Sequence, residues 1–87
     1  MAALRHELWL ESTGERIFCL AGPMGERARR LMTADATLTW TVTANSHFEA
    51  MTKYYSFMGW GAYTTDHDWD YHPYPTVWLE MQVVGQA

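Results

Sequence analysis

The sequence predicts an α+β fold, a two-layer sandwich in which two helices pack on one side of a small, mainly antiparallel sheet. Three patterns support this: a β-hairpin over 6–21, a strictly alternating strand over 37–43 and a capped amphipathic helix over 46–58. The order strand, strand, helix, strand, helix fits this class. The 87 residues are expected to form a single domain, 1–87, because a chain of this length holds one core.

The hairpin prediction depends on two apolar segments around the turn sequence at 12–15. Gly14 can adopt the positive φ that tight turns need. A two-residue turn would place three large apolar side chains on the face opposite Leu8: Trp9, Phe18 and Leu20. A loop one residue longer would change the cross-strand partners. Because an apolar face of this size needs cover, either the C-terminal segment or a second copy is expected to lie over it, and we predict a homodimer through this hairpin face.

A short helix and a third strand are predicted to follow the hairpin. A Gly-Pro pair stops the second strand and leads into a helix over 23–32. In the strand over 37–43, alternation places Leu38, Trp40 and Val42 on the core face and threonines on the other. We therefore expect Trp40 to pack in the core against the main helix.

The main helix over 46–58 has sequence markers at both ends. Ser46 and Glu49 have the spacing of a capping box, and Gly59 stands where a helix commonly ends in a left-handed residue. One side of this helix is apolar, and we expect it to lie on the sheet: Phe48, Met51, Tyr55 and Met58.

The C-terminal segment 76–84 fits either a strand or a short helix. Alternating apolar residues favour a strand, whereas Pro75 and Thr76 before a compact apolar patch favour a helix. We prefer the helix.

Charge and composition exclude two classes of partner. The formal net charge is −4, and residues 34–87 carry six acids against one base, Lys53. Nucleic acids and anionic membrane surfaces require the opposite sign there. No apolar run approaches the roughly 20 residues that span a bilayer, and we expect no export signal because charged residues interrupt the first twenty residues. Since Cys19 is the single cysteine, these features predict a cytoplasmic protein.

Residues 60–75 form an irregular, aromatic and acidic loop, in which we expect any specific site to lie. Nine of the thirteen aromatic residues fall between Tyr54 and Trp78. Rings with polar tips, interspersed with Asp and His, are typical of binding surfaces. The predicted binding residues are Trp60, Tyr63, Trp69, Tyr71 and Tyr74. The simpler alternative is that most of these rings form the core of a small domain.

The same loop offers a metal site as an alternative. Residues 66–72 contain five Asp and His side chains among seven residues. Imidazole and carboxylate groups suit divalent metals such as zinc. The alternative ligand set is His47, His67, Asp68, Asp70 and His72. No zinc-protease, paired-cysteine or calcium-loop spacing accompanies them, so turn-capping, solvated acids are the simpler interpretation.

These patterns predict a small cytoplasmic binding or accessory protein without enzymatic activity or a cofactor. It would engage a protein or a small molecule through its aromatic, acidic C-terminal half. A metal-dependent protein that uses the 66–72 cluster with His47 is the alternative, and a self-associating structural subunit is the second. No carboxylate pair points to hydrolysis, and Cys19 is expected to be a buried apolar residue rather than a nucleophile.

Overall fold

A three-stranded antiparallel sheet organises the protein, which we describe from a computed structural model over residues 3–85. The strands are β1 (Leu4–Leu10), β2 (Arg16–Leu20) and β3 (Thr37–Ala44), in the order β2-β1-β3. The helices are α1 (Glu26–Arg30), α2 (His47–Met58) and α3 (Thr76–Gly85). Short 3-10 helices cover Pro23–Gly25 and Asp68–Tyr71.

The sheet and the three helices confirm the predicted α+β class. The C-terminal segment is a helix, α3, as preferred from its Pro-Thr start. The segment over 23–32 is divided into a 3-10 turn and the short helix α1. The loop over 60–75 is irregular apart from the 3-10 helix at its centre.

The hairpin loop has three residues rather than the expected two. Glu11 donates its backbone N–H to Glu15 O at 2.9 Å, and Gly14 takes a φ of 92° between them. A three-residue hairpin commonly closes with a left-handed residue of this kind. The longer loop shifts the register by one residue, so that Leu8 pairs with Phe18.

This register corrects the predicted homodimer surface. Phe18 pairs with Leu8 and Leu20 pairs with His6, so both lie on the face opposite Trp9. A one-residue slip moves a whole strand's side chains to the other face. Trp9, Phe18 and Leu20 therefore do not form one patch.

The core lies between this sheet face and α2. Leu4 and Leu8 are buried on the sheet side, and Ala50 and Tyr54 are buried on the helix side. The Phe18 and Tyr54 rings stack with centroids 4.5 Å apart. α2 therefore presents the 50–54 side to the sheet, and the expected side with Phe48 and Tyr55 packs elsewhere.

Trp40 packs against α2, but it is only half-buried and not part of the core as expected, and the alternation of its strand is interrupted. The Trp40 ring stacks on Phe57 with centroids 4.2 Å apart. The register changes between Leu8 and Trp9, so that Leu38 pairs with Trp9 rather than continuing the Trp40 face. Leu38 is consequently 47% exposed, because a bulge inserts one extra residue into β3.

Gln82 attaches α3 to the sheet. Its side-chain oxygen accepts from Arg5 N at 2.8 Å, and its nitrogen donates to Arg5 O at 2.8 Å and Ala21 O at 3.0 Å. The amide thus takes the place of a peptide group where β1 and β2 separate. This contact fixes α3, and with it Trp78, beside the end of β2.

Candidate functional site

A cleft of about 590 Å³ opens where β2, the start of α2 and the segment 72–78 meet. Half of the twelve residues that line it are Phe, Tyr, Trp or Pro: Phe18, Trp69, Pro73, Tyr74, Pro75 and Trp78. This volume lies within the range of small-molecule sites, and such sites are mainly apolar with few polar groups. We call this volume the aromatic cleft.

The outer wall of the aromatic cleft is attached to the start of α2 through the backbone. Tyr74 donates its N–H to Asn45 O at 2.7 Å, and Pro73 forms an isolated antiparallel bridge with Ser46. The two prolines restrict φ on either side of Tyr74. The Tyr74 and Trp78 rings stack with centroids 5.8 Å apart. The wall is therefore held at both the loop and α3.

The predicted N-cap of α2, Ser46, is present, although Glu49 reaches back to Asn45 rather than to Ser46 as in a standard capping box, and this start forms the inner wall. Glu49 donates its N–H to Ser46 Oγ at 3.1 Å, and Asn45 N donates to Glu49 Oε1 at 2.7 Å. Gly59 ends the helix with a φ of 72°. This start places His47 and Met51 on the cleft side of α2.

A buried histidine and a tyrosine provide the polar contact inside the cleft. His6 is 3% exposed, and its Nε2 lies 2.9 Å from the Tyr74 hydroxyl. Its Nδ1 lies 3.0 Å from Leu4 O. Burial lowers the pKa of His6 from 6.5 to about 4. Burial likewise raises the pKa of Tyr74 from 10.0 to about 12.

Asp70 is the buried acid of the loop, and it anchors the loop from inside. Tyr63 and Thr65 donate their hydroxyl groups to its Oδ2 at 3.1 and 2.7 Å. Burial acts to raise the pKa of Asp70, but these hydrogen bonds and the nearby His47 and His67 outweigh it and lower the pKa. The aspartate therefore stays charged and organises the backbone between 63 and 70.

The five predicted binding residues divide into two groups. Trp69 and Tyr74 line the aromatic cleft. The other three pack on α2: Trp60 on Tyr55 at 5.3 Å, Tyr63 on Tyr55 at 5.2 Å and Tyr71 on Phe48 at 4.5 Å between ring centroids. The apolar side of α2 expected to face the sheet thus faces these loop rings.

The alternative metal ligands do not gather at one point. His47 and His72 line the aromatic cleft, whereas Asp70 binds the two loop hydroxyls, and His67 and Asp68 are exposed. Across residues 3–85, no three His, Cys, Asp or Glu side chains are grouped as they would be around a metal ion. The metal hypothesis therefore stays a sequence prediction without geometric support.

The sequence patterns did not predict eight of the twelve residues that line the cleft, and these eight include Phe18, Trp78 and His6. Phe18 would have been found from the correct hairpin register, which turns it towards α2. Trp78 belongs to the aromatic run but was not selected. His6 carries no local signal, because its partner Tyr74 lies 68 residues further along the chain.

Comparisons with known proteins give no relationship from which to assign the cleft. No family model, curated protein or solved structure matches the chain. Between residues 3 and 85, no helix is both long and apolar enough to cross a membrane. The function is therefore argued from the cleft geometry.

Proposed function

We propose that this protein is a small cytoplasmic, non-enzymatic binding module that takes a small, mainly apolar molecule in the aromatic cleft. The observation that carries the proposal is the cleft itself, a volume of about 590 Å³ walled by aromatic rings and prolines. An apolar cavity with a few convergent polar groups is the usual form of a small-molecule site. Rings and prolines also lose little conformational entropy when a ligand binds.

The rigidity of the wall supports binding without large rearrangement. The segment around Tyr74 is held by its backbone bond to Asn45 and by the stack on Trp78. Gln82 fixes α3 to the backbone of β1 and β2. A wall that is ordered before the ligand arrives reduces the cost of association.

The pKa values of the polar pair favour binding over acid-base catalysis. A general acid or base works best when its pKa lies near the operating pH. His6 has a pKa of about 4 and Tyr74 a pKa of about 12, so both stay neutral near pH 7. The pair is therefore suited to accept or donate hydrogen bonds rather than to transfer protons.

The charge of the protein disfavours an anionic ligand. The formal net charge is −4, and the acids are concentrated in the half that forms the outer cleft wall. Anionic ligands would be repelled by this field. The single cysteine, Cys19, is free, and it supports the cytoplasmic location because a disulfide is not needed for the fold.

The proposal is tested with prodan, a neutral naphthalene dye whose emission reports an apolar environment. Saturable binding at one site is expected in the wild-type protein. Trp78→Ala removes a cleft wall and should weaken binding by at least roughly 10-fold, in the range of hot-spot aromatic residues. Trp60→Ala is the matched control, because Trp60 packs on α2 outside the cleft.

The two variants separate the cleft from the exposed loop. Unchanged affinity in Trp60→Ala, together with the loss in Trp78→Ala, supports the cleft. The reverse pattern would place binding on the exposed rings of the loop and overturn the proposal. Thermal unfolding of each variant shows whether a loss of affinity reflects a loss of folded protein.

A further inference from the structure

The hydrogen-bond roles of His6 are determined by its neighbours. Leu4 O is a carbonyl oxygen and can only accept, so Nδ1 of His6, 3.0 Å away, must carry the proton. A neutral imidazole has one N–H, which leaves Nε2 as an acceptor. The second His6 contact, 2.9 Å to Tyr74, therefore uses the tyrosine O–H as the donor.

This assignment fixes what Tyr74 offers to the cleft. Once its proton is committed to His6, the phenol oxygen acts only as an acceptor. Across residues 3–85, no protein group donates to this oxygen. The His6 ring is buried and stacks on Phe18 with centroids 5.5 Å apart. It therefore does not rotate easily, and its Nε2 keeps accepting the Tyr74 hydroxyl proton.

The surroundings make this acceptor selective. Phe18 and Trp78 provide apolar walls around it, and a polar group deprived of water costs free energy unless a partner replaces the water. A ligand that brings a donor restores the lost hydrogen bond. A ligand of the same shape without a donor leaves the Tyr74 oxygen unsatisfied.

We propose that the cleft selects a neutral aromatic molecule with a ring-bound O–H or N–H, whose proton the Tyr74 hydroxyl oxygen accepts. The inference rests on the proposed function and specifies its ligand class. His6 is then a positioning residue, which orients the Tyr74 proton away from the ligand. The aromatic part of the ligand lies between the rings and prolines of the wall.

Indole and benzofuran form the probe pair for this proposal. The two bicyclic molecules have nearly the same shape, but indole has an N–H donor where benzofuran has an oxygen. Titration calorimetry on the wild-type protein should show indole binding roughly 2- to 10-fold more tightly, as expected for one net hydrogen bond. Tyr74→Phe should abolish this preference, and Tyr71→Phe, outside the cleft on Phe48, should retain it.

A second measurement does not depend on the variant's folding. With 15N-labelled indole, the bound N–H proton should move downfield in the wild-type protein, as expected when it enters a hydrogen bond. Equal affinities of the two probes, or a preference that persists in folded Tyr74→Phe, would overturn this inference. Prodan binding in the cleft would then still support the proposed function. If neither probe nor prodan binds, both proposals fail together.

Discussion

The aromatic residues of the C-terminal half form two regions that differ in what their rings contact. In the loop, Trp60, Tyr63 and Tyr71 each find a ring of α2 with centroids 4.5 to 5.3 Å apart. In the cleft, Trp69, Tyr74 and Trp78 line a volume of about 590 Å³ together with Phe18 of β2. The rings of the first region pack one side on α2, although Trp60 and Tyr71 remain 53% and 51% exposed, whereas the rings of the second region surround a cleft.

Ring density alone therefore does not distinguish packing from binding. The loop rings lie in the stretch with the most acids, yet each of them packs one side on a ring of α2. The cleft rings are held apart by backbone contacts, from Tyr74 to Asn45 and from Gln82 to the sheet. Separation of the walls, rather than composition, produces the space for a ligand.

Tyr54 allows the largest test of this comparison, because its ring contacts both regions. It is 7% exposed, stacks on Phe18 at 4.5 Å and meets Trp60 edge-on at 5.3 Å. Tyr54→Ala should reduce the free energy of unfolding by roughly 3–5 kcal/mol, as for other large aromatic residues in cores. Urea unfolding measures this loss. Tyr55→Ala, which contacts only loop rings, should cost clearly less; equal costs would contradict the division into two regions.

Gln82 provides the second test, which affects the cleft more than the loop. Gln82→Leu keeps a side chain of similar size but leaves Arg5 N and Ala21 O without their partner. The expected loss of stability is roughly 2–3 kcal/mol, because buried unpaired backbone groups are costly. Prodan affinity should fall as well, since α3 carries Trp78. A variant as stable as the wild type would show that water replaces the amide without cost.

The pH dependence of the free energy of unfolding tests the cleft separately from the loop, because the buried His6 lies at the cleft. Its folded pKa of about 4 lies below the ordinary 6.5, so below pH 6.5 the unfolded chain binds a proton that the folded protein does not. The contribution of neutral His6 to stability is fully present above pH 6.5 and is lost as the pH falls towards 4. Between pH 7 and pH 5 this linkage amounts to roughly 2 kcal/mol.

The His6 contribution is isolated by comparing urea unfolding of the wild type and His6→Gln at both pH values. The variant should show a smaller change between pH 7 and pH 5, even if it is less stable throughout. His67→Gln is the control, because His67 is exposed and lies in the loop. The same pH slope in wild type and His6→Gln would mean that His6 is not buried in its neutral form.

Patterns within a few residues predicted the helices and strands. Contacts between residues far apart in the sequence determined which side of each helix or strand packs on which neighbour. The ends of α2 followed from Ser46, Glu49 and Gly59, whose interactions lie within one helical turn. The strands followed from alternation. The hairpin register did not, because the turn sequence accommodates two or three residues, and only packing of Phe18 on Tyr54 separates the two.

The candidate site was predictable only in part for the same reason. α2 has apolar residues on two sides, and periodicity did not show that Ala50 and Tyr54 face the sheet while Phe48 and Tyr55 face the loop. Tyr74 and Trp69 were identified from the aromatic run. The hydrogen bond between His6 and Tyr74 was not predictable, because the two residues are 68 positions apart and meet only in the folded chain.

Two methionines of α2 show whether a ligand occupies the aromatic cleft. Met51 lines the cleft, whereas Met58 lies about two turns further along the helix, away from the lining. In protein labelled at the methionine methyl groups, prodan should shift the Met51 signal saturably, with contacts between the dye and that methyl, while the Met58 signal stays in place. A saturable shift of Met58 with Met51 unchanged would show that the dye binds outside the cleft.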